Sequence, residues 1–354
     1  MVNFNSTRTY GIEIEMSWGR GRRPTQASVA AALRRAGLDA SAAGYSHTTT
    51  EGWKVVSDGS VHNGHELVSP ILRGLNGKEQ LKTAMRAVKA IGAQTDASCG
   101  VHVHHGVHDF SAKQLANVAE IYSNNEQTID KLVAFSRRNT HWARSMANGR
   151  NYYEAATVAL DGEWTSSRHD QNAKSELVYQ LAPQGRYYKV NFHSFVRQGT
   201  VEFRQHQTSL NAIRIWNWVV FTQMIVESAK GRRGKANPVT VNTGNQETAA
   251  ERALLRDLNM RKRNMNALRG LARKRNAGMT NRAGQSIEIG LDINLRVGTV
   301  EDDSADDNMT AEQTHAATCS GNMVERTNSQ TGENFMGCTY YRRGCRFSIN
   351  MVAA

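Results

Sequence analysis

Cysteine is scarce. The chain of 354 residues has four, Cys99, Cys319, Cys338 and Cys345, too few for the disulfide framework that staples small secreted domains. Long apolar runs are also missing, so no segment approaches the ~20 residues that a membrane-spanning helix needs. Met1 to Arg8 is polar and lacks the apolar centre of a signal peptide. These absences argue against a secreted or membrane protein and predict a soluble, cytoplasmic one without a membrane partner. No internal repeat is visible. Acids are outnumbered 32 to 44 by Lys and Arg, for a formal charge of +12. The excess is concentrated between Arg252 and Arg282, where Asp257 is the single acid. Such a surplus suits a nucleic-acid binder and equally a protein that handles polyphosphate nucleotides and acidic substrates, so charge alone selects neither.

What is present is globular: 39% hydrophobic and 21% charged residues, in a length that allows one large domain or two smaller ones. Residues 8–17 read as a strand, and Thr25 to Gly37 as a helix with Val29, Leu33 and Ala36 on one face. Trp53–Val56 and His65–Val68 read as strands flanking the turn Ser57-Asp58-Gly59-Ser60. A helix is expected from about Lys78 to Ile91. A second opens at a Ser111/Gln114 capping box and continues through Ile129, Leu132 and Val133. Residues 136–185 are polar and read as irregular. Tyr187–Phe195 and Thr200–Gln207 read as a hairpin around Gln198-Gly199, and Ser209 opens a strongly apolar helix. After Lys230 a Gly/Arg-rich linker leads to a basic amphipathic helix over roughly 247–275 and a Gly/Asn/Thr/Ser-rich stretch. The expected division is a catalytic domain over 1–230 and an appendage over 231–354.

Three short stretches carry the chemistry: Tyr10-Gly11-Ile12-Glu13-Ile14-Glu15-Met16, Gly100-Val101-His102-Val103-His104 and Thr200-Val201-Glu202-Phe203-Arg204. Each alternates apolar side chains with charged or imidazole ones, and successive side chains of a strand point to opposite faces. In one shared sheet, Glu13, Glu15, Glu202, His102, His104 and Arg204 would crowd one face above an apolar core. Desolvated carboxylates need a countercharge, and divalent cations supply it most simply. Glu66, which follows the Asp58 turn, is a further donor. An oxygen-rich set with a little imidazole suits Mg²⁺ or Mn²⁺ better than structural zinc. Arg204 is then free to steady a phosphoryl group. Each stretch alone is ordinary: a solvated sheet face, a surface histidine pair, a cross-strand ion pair. Together, each beside a glycine (Gly11, Gly100, Gly199), they point to a metal-dependent active site.

The motifs Gly11-Ile-Glu-Ile-Glu15, Gly64-His-Glu-Leu-Val-Ser-Pro70, Cys99-Gly-Val-His-Val-His104, Tyr187-Tyr-Lys-Val-Asn-Phe-His193 and Gly199-Thr-Val-Glu-Phe-Arg204 resemble those of the amidoligase family, in the same order over roughly residues 8–228. That family is similar to glutamine synthetase and glutamate–cysteine ligase. The resemblance implies an α+β fold whose curved, mainly antiparallel sheet carries helices on its outer face. It also implies ATP-dependent joining of a small-molecule or peptide carboxylate to an amine through an acyl phosphate. By motif, Glu15 and Glu66 hold one Mg²⁺ (or Mn²⁺), with Asp58 as a possible third ligand, and Glu13, His102 and Glu202 hold another. His104 borders ATP, Arg204 steadies the transferred phosphoryl group, and Asn191 and His193 line the site. Arg137, Arg138 and Arg144 are candidates to clamp a substrate carboxylate, with Arg186 and Lys189 as further ones. The chain has no Walker-type Gly-rich loop, and nucleotide binding along the sheet requires none.

Two rival readings are a metal-dependent hydrolase, with His102, His104 and the glutamates activating water, and a noncatalytic structural or interaction protein that retains the sheet. The basic C-terminal region would suit an acidic protein partner, although its leucine stripe (Leu254, Leu255, Leu258, Leu268, Leu271) reads first as a packing face. His315, Cys319, Cys338 and Cys345 lack the Cys-x-x-Cys spacing of a zinc knuckle, which favours reduced thiols.

Overall fold

The structure, a computed structural model, describes residues 2–46, 48–138, 140–147, 152, 168–231, 254, 257–258, 297–299, 323–327, 334–338 and 348–350. In chain order the strands are β1 (Val2–Phe4), β2 (Tyr10–Ser17), β3 (Ala40–Ala42), β4 (Trp53–Val56), β5 (Gly64–Val68), β6 (Gly100–Gly106), β7 (Val190–Asn191), β8 (Thr200–Gln207), β9 (Val297–Thr299), β10 (Met323–Thr327), β11 (Asn334–Cys338) and β12 (Ser348–Asn350). The helices are α1 (Gln26–Arg35), α2 (Gly74–Ala90), α3 (Ala112–Asp130), α4 (Arg168–Leu181), α5 (His193–Gln198) and α6 (Ala212–Gly231), with a 3₁₀ turn at Phe135–Arg137.

Seven strands form one open sheet in the order β3-β4-β5-β2-β6-β8-β7. Every pairing is antiparallel except β3 with β4. The fold is therefore α+β with a mainly antiparallel sheet. Alternation decides its two faces. Tyr10, Ile12, Ile14, Val101, Val103, Val201 and Phe203 are all buried, and their side meets the helices. Tyr10 packs edge-on against Trp216 of α6 with ring centroids 5.9 Å apart, and Phe203 meets Tyr122 of α3 at 6.0 Å. His105 also falls on this side, fully buried, with Nε2 2.8 Å from Thr222 Oγ1. Burial holds its imidazole well below its usual range, so it packs as a neutral ring.

Helix starts follow local chemistry. Thr25 Oγ1 accepts from the Ser28 N–H to cap α1, and Ser111 and Gln114 form the reciprocal capping box of α3. Helix α6 begins two residues later than the apolar run suggested, at an Asn211 side chain that accepts from Ile213 N–H. Helix α2 begins at Gly74, ahead of the expected Lys78. At Gly77 the helix passes Tyr10; a Cβ there would collide with the Tyr10 hydroxyl and lie 2.8 Å from Leu72 Cβ. Helix α3 stops at Asp130, short of the expected Leu132 and Val133, which are buried beyond it. Within the stretch read as irregular, α4 forms, and Leu177, Val178 and Leu181 mark its buried end.

The expected hairpin over 187–207 is corrected. Strands β7 and β8 do pair, but α5 stands between them. Asn191 Oδ1 accepts from His193 N–H, Ser194 Oγ donates to the carbonyls of Asn191 and Thr200, and Gly199 closes the helix at φ +66°.

Strand β9 pairs in parallel with β1, and β10-β11-β12 form a separate antiparallel sheet. Leu254 and Leu258 belong to the main core, and Asp257 accepts from Asn125 of α3. The rest of the expected basic helix, together with His315, Cys319 and Cys345, lies outside the described residues. Among those described, no helix is long and apolar enough to cross a membrane.

Two stability tests follow from these contacts. Gly199→Ala would hold an L residue in left-handed backbone, with its Cβ 2.6 Å from His108 Nδ1. It is expected to cost at least about 1–2 kcal/mol, measurable by chemical denaturation. The second concerns Asp109, which receives both Nη1 and Nη2 of Arg8 at 3.0 and 3.1 Å and also pairs with Lys230. Burial would raise its carboxyl, but Arg8 and Lys230 bring it from 3.8 down to about 2. A folded value below the unfolded one stabilises the fold at neutral pH, and that contribution fades as pH falls toward about 2. Asp109→Asn should lower the melting temperature at neutral pH, with the gap to wild type closing across that acid range.

Candidate active site

The strand register decides which polar groups meet. Across β2 and β6, Glu13 stands opposite His102 and Gly11 opposite His104. Across β2 and β5, Glu15 stands opposite Glu66. His104 and Asn191 both face Glu202 from the strands flanking β8. Directly opposed residues share a face with Cβ atoms roughly 4.5–5.5 Å apart, so five strands deliver their polar side chains to one patch.

His102 sits at its centre. Its Nδ1 lies 3.1 Å from Glu13 Oε2 and 3.6 Å from Glu202 Oε1, and its Nε2 lies 3.8 Å from Glu15 Oε1. His104 Nε2 is 3.3 Å from Glu13 Oε1, and its Nδ1 is 3.1 Å from Thr200 Oγ1. Glu202 is held by Arg204 and by Asn191 Nδ2 at 2.5 Å. Glu15 accepts the Gly100 N–H at 2.5 Å. Two sets of donor atoms each converge within 4.8 Å: Glu13, His102 and Glu202, and Glu15, Glu66 and His102.

Electrostatics divides the carboxylates. Burial works to raise Glu13, but the charges of His104 and His102 and their hydrogen bonds hold it well below the usual carboxylate range. Glu202 is likewise lowered, against its burial, chiefly by Arg204 and His104. Burial raises Glu15. Glu66 is pushed well above its usual value by burial and then by repulsion from Glu13, Glu15, Asp58 and Glu202. One wall of the patch is thus neutralised by the protein's own cations, while Glu15 and Glu66 remain short of positive charge.

A bulge in β8 sets where its last polar group falls. Val103 faces Phe203 and Val101 faces His206, so Arg204 and Gln205 together oppose His102 alone. Beyond the bulge two successive side chains leave on the helix side. Gln205 bonds Tyr122 and Asp130, and His206 packs 5.0 Å from the Trp218 ring. Arg204 stays with Glu202 on the polar side.

The patch floors a cleft of two joined compartments, about 960 and 810 Å³. Glu13, Glu66 and His104 border both. The polar compartment adds Asp58, His102, Asn191, His193, Glu202, Arg204, Arg186 and Arg197. The other is lined by Tyr10, Val68, Pro70 and Ile71 together with Thr9, Lys54 and Thr200. Lys54 Nζ donates to the carbonyls of Ser46 and Thr48 and ties that loop over the cleft.

Five of the donors singled out in the sequence, Glu13, Glu15, Glu66, His102 and Glu202, therefore come together. Asp58 sits on the loop before β5, with Oδ1 accepting from Ser60 N–H and Oγ. His193 lines the cleft while its Nε2 lies 3.0 Å from Ala182 O. The arginines are distributed differently from the expectation. Arg137 is buried and bonds backbone carbonyls. Arg138 lies over the Phe135 ring, Arg144 binds Gln184, and none of the three is among the residues lining the cleft. Lys189 is buried in ion pairs with Glu126 and Asp130. Arg186, one of the further candidates, does line the cleft, as does Arg197, whose side chain makes no hydrogen bond or ion pair among the described residues. Arg197 and Lys54 escaped the sequence reading. Lys54 carries a signal, the alternation Trp53-Lys54-Val55; Arg197 carries none, because it falls in the turn expected between Phe195 and Thr200.

No curated protein matches the chain. A family model described as "Putative amidoligase enzyme" matches residues 6–226, more than half of the 354 and all seven strands of the main sheet. With the carboxylate–imidazole face and its cleft inside that span, the chain belongs to the putative amidoligase family, an enzyme of ligase type.

Proposed function

We propose that the protein is an ATP- and Mg²⁺-dependent carboxylate–amine ligase that forms an amide or isopeptide bond through an acyl phosphate. The observation that carries this is the pair of donor sets sharing His102 beside Arg204, all of the donors but Glu15 lining one cleft. The donor chemistry fits a divalent ion: four carboxylates and an imidazole, of which Glu66 is raised by burial and by the neighbouring acids. Glu15 and Glu66, joined by Asp58, would hold one ion, and Glu13, His102 and Glu202 another. Mn²⁺ would fit the same oxygen-rich set. When bound, these ions neutralise phosphate oxygens and developing negative charge.

The chain's own groups account for the remainder. Arg204 steadies the γ-phosphoryl group as an oxygen of the substrate carboxylate bonds to phosphorus and ADP leaves. The amine then attacks the acyl carbon, phosphate departs, and the amide remains after loss of the amine proton. His104 borders the nucleotide where the two compartments meet, and Asn191 orients Glu202. Arg186 and Arg197 anchor the acid, a small molecule or peptide, in the role first expected of Arg137, Arg138 and Arg144. The order of motifs along the chain and the mainly antiparallel sheet support a sheet of the glutamine synthetase and glutamate–cysteine ligase type.

A phosphate-release screen with Mg²⁺-ATP against panels of acids and amines tests the activity. Turnover should require both substrates, stop with EDTA and return with added Mg²⁺. Turnover without ATP would overturn the ligase reading in favour of hydrolysis. Arg204→Ala is expected to lower kcat by about 10²–10³-fold, and Glu202→Gln to serve as a blank with unchanged folding by circular dichroism. Arg197→Ala should raise KM for the acid by about tenfold, worth about 1.4 kcal/mol of binding, while leaving Mg²⁺-ATP binding unchanged by calorimetry.

A further inference from the structure

We propose that Arg137 is a positioning residue of this site, holding the β8 bulge and the start of β6 so that Arg204 and Glu15 take up their places. It rests on the ligase reading above and adds a residue that touches neither cleft compartment. Arg137 ends the 3₁₀ turn that follows α3 and is buried, with 6% of its surface exposed. Its Nη2 donates to Arg204 O at 3.0 Å and its Nε donates to Gln205 O at 3.3 Å. These are the two residues that together oppose His102, where the ladder with β6 is interrupted. On its other edge Arg204 is tied by its N–H to Lys189 O at 2.9 Å. The backbone beneath the Arg204 side chain is thus clamped from both sides.

The same guanidinium reaches the second donor set. It lies against Gly100, where a Cβ would stand 2.7 Å from Nη2 and 3.2 Å from Cζ. Gly100 is the residue whose N–H bonds Glu15, and the Arg137 charge is felt by that carboxylate. A single planar fork therefore supports Arg204 through its carbonyl and Glu15 through the strand that Glu15 bonds. A lysine supplies charge but cannot span two successive carbonyls in the same fixed geometry.

The test uses the full chain, with Mn²⁺ as the probe, read by the loss of the free-ion electron paramagnetic resonance signal, alongside thermal melting. Arg137→Met is expected to weaken Mn²⁺ binding by about 10- to 100-fold, with Arg137→Lys recovering only part of it. Gly100→Ala keeps the arginine but displaces its guanidinium, and it should weaken Mn²⁺ binding in the same direction. Where Arg137→Met does not fold, Gly100→Ala decides. Folded variants that bind Mn²⁺ within about twofold of wild type, against the loss expected for a group that orients ligands, would overturn the role of Arg137 alone. Wild-type protein that binds neither Mn²⁺ nor Mg²⁺-ATP would overturn the ligase reading and this inference together.

Discussion

Everything at this site depends on crowding carboxylates onto one face of a sheet whose other face is a hydrophobic core. Glu13, Glu15, Glu66 and Glu202 surround His102, with Glu15 and Glu202 each about 4% exposed. Removing such groups from water is costly unless opposite charge compensates. The protein compensates two of them itself, Glu13 through the histidines and Glu202 through Arg204, and leaves Glu15 and Glu66 under-compensated. That unequal division separates the patch from a satisfied salt-bridge network and is the deficit that the proposed divalent ions would fill.

The rest of the fold keeps these groups from moving apart. Buried alternate positions on β2, β6 and β8 forbid a one-residue slip, since a slip would turn every carboxylate into the core. The aromatic contacts of Tyr10 with Trp216 and of Phe203 with Tyr122 fasten the central strands to α6 and α3. The buried Lys189, paired with Glu126 and Asp130, anchors the edge next to β8. Rigid strands rather than loops carry the donors, Asp58 excepted, while loops add the Lys54-tethered rim and Arg186.

Much of the site could be read along the chain because a strand's period of two is short and the side chains that obey it are chemically distinct. Glu13 with Glu15, His102 with His104, and Glu202 with Arg204 announce themselves within five-residue windows. The arginines could not be read this way. Arg137, Arg138 and Arg144 form a basic run that suggests a substrate clamp, yet burial, an aromatic neighbour and Gln184 draw them away from the cleft. Arg186 and Arg197 look no different in sequence and line it. Helix α5 was hidden for a similar reason: six residues make too short a periodic signal to outweigh the β-like residues on either side.

The sequence by itself determined that three separated ladders would each put polar groups on one side and apolar groups on the other, because alternation is a local property of extended backbone. Only the tertiary structure decided that these sides coincide, that Glu66 faces Glu15, and that a bulge directs Arg204 to Glu202 while sending Gln205 and His206 into the core. Register and bulges arise between strands far apart in the chain, and they are selected by packing against α3 and α6 rather than by any neighbouring residue.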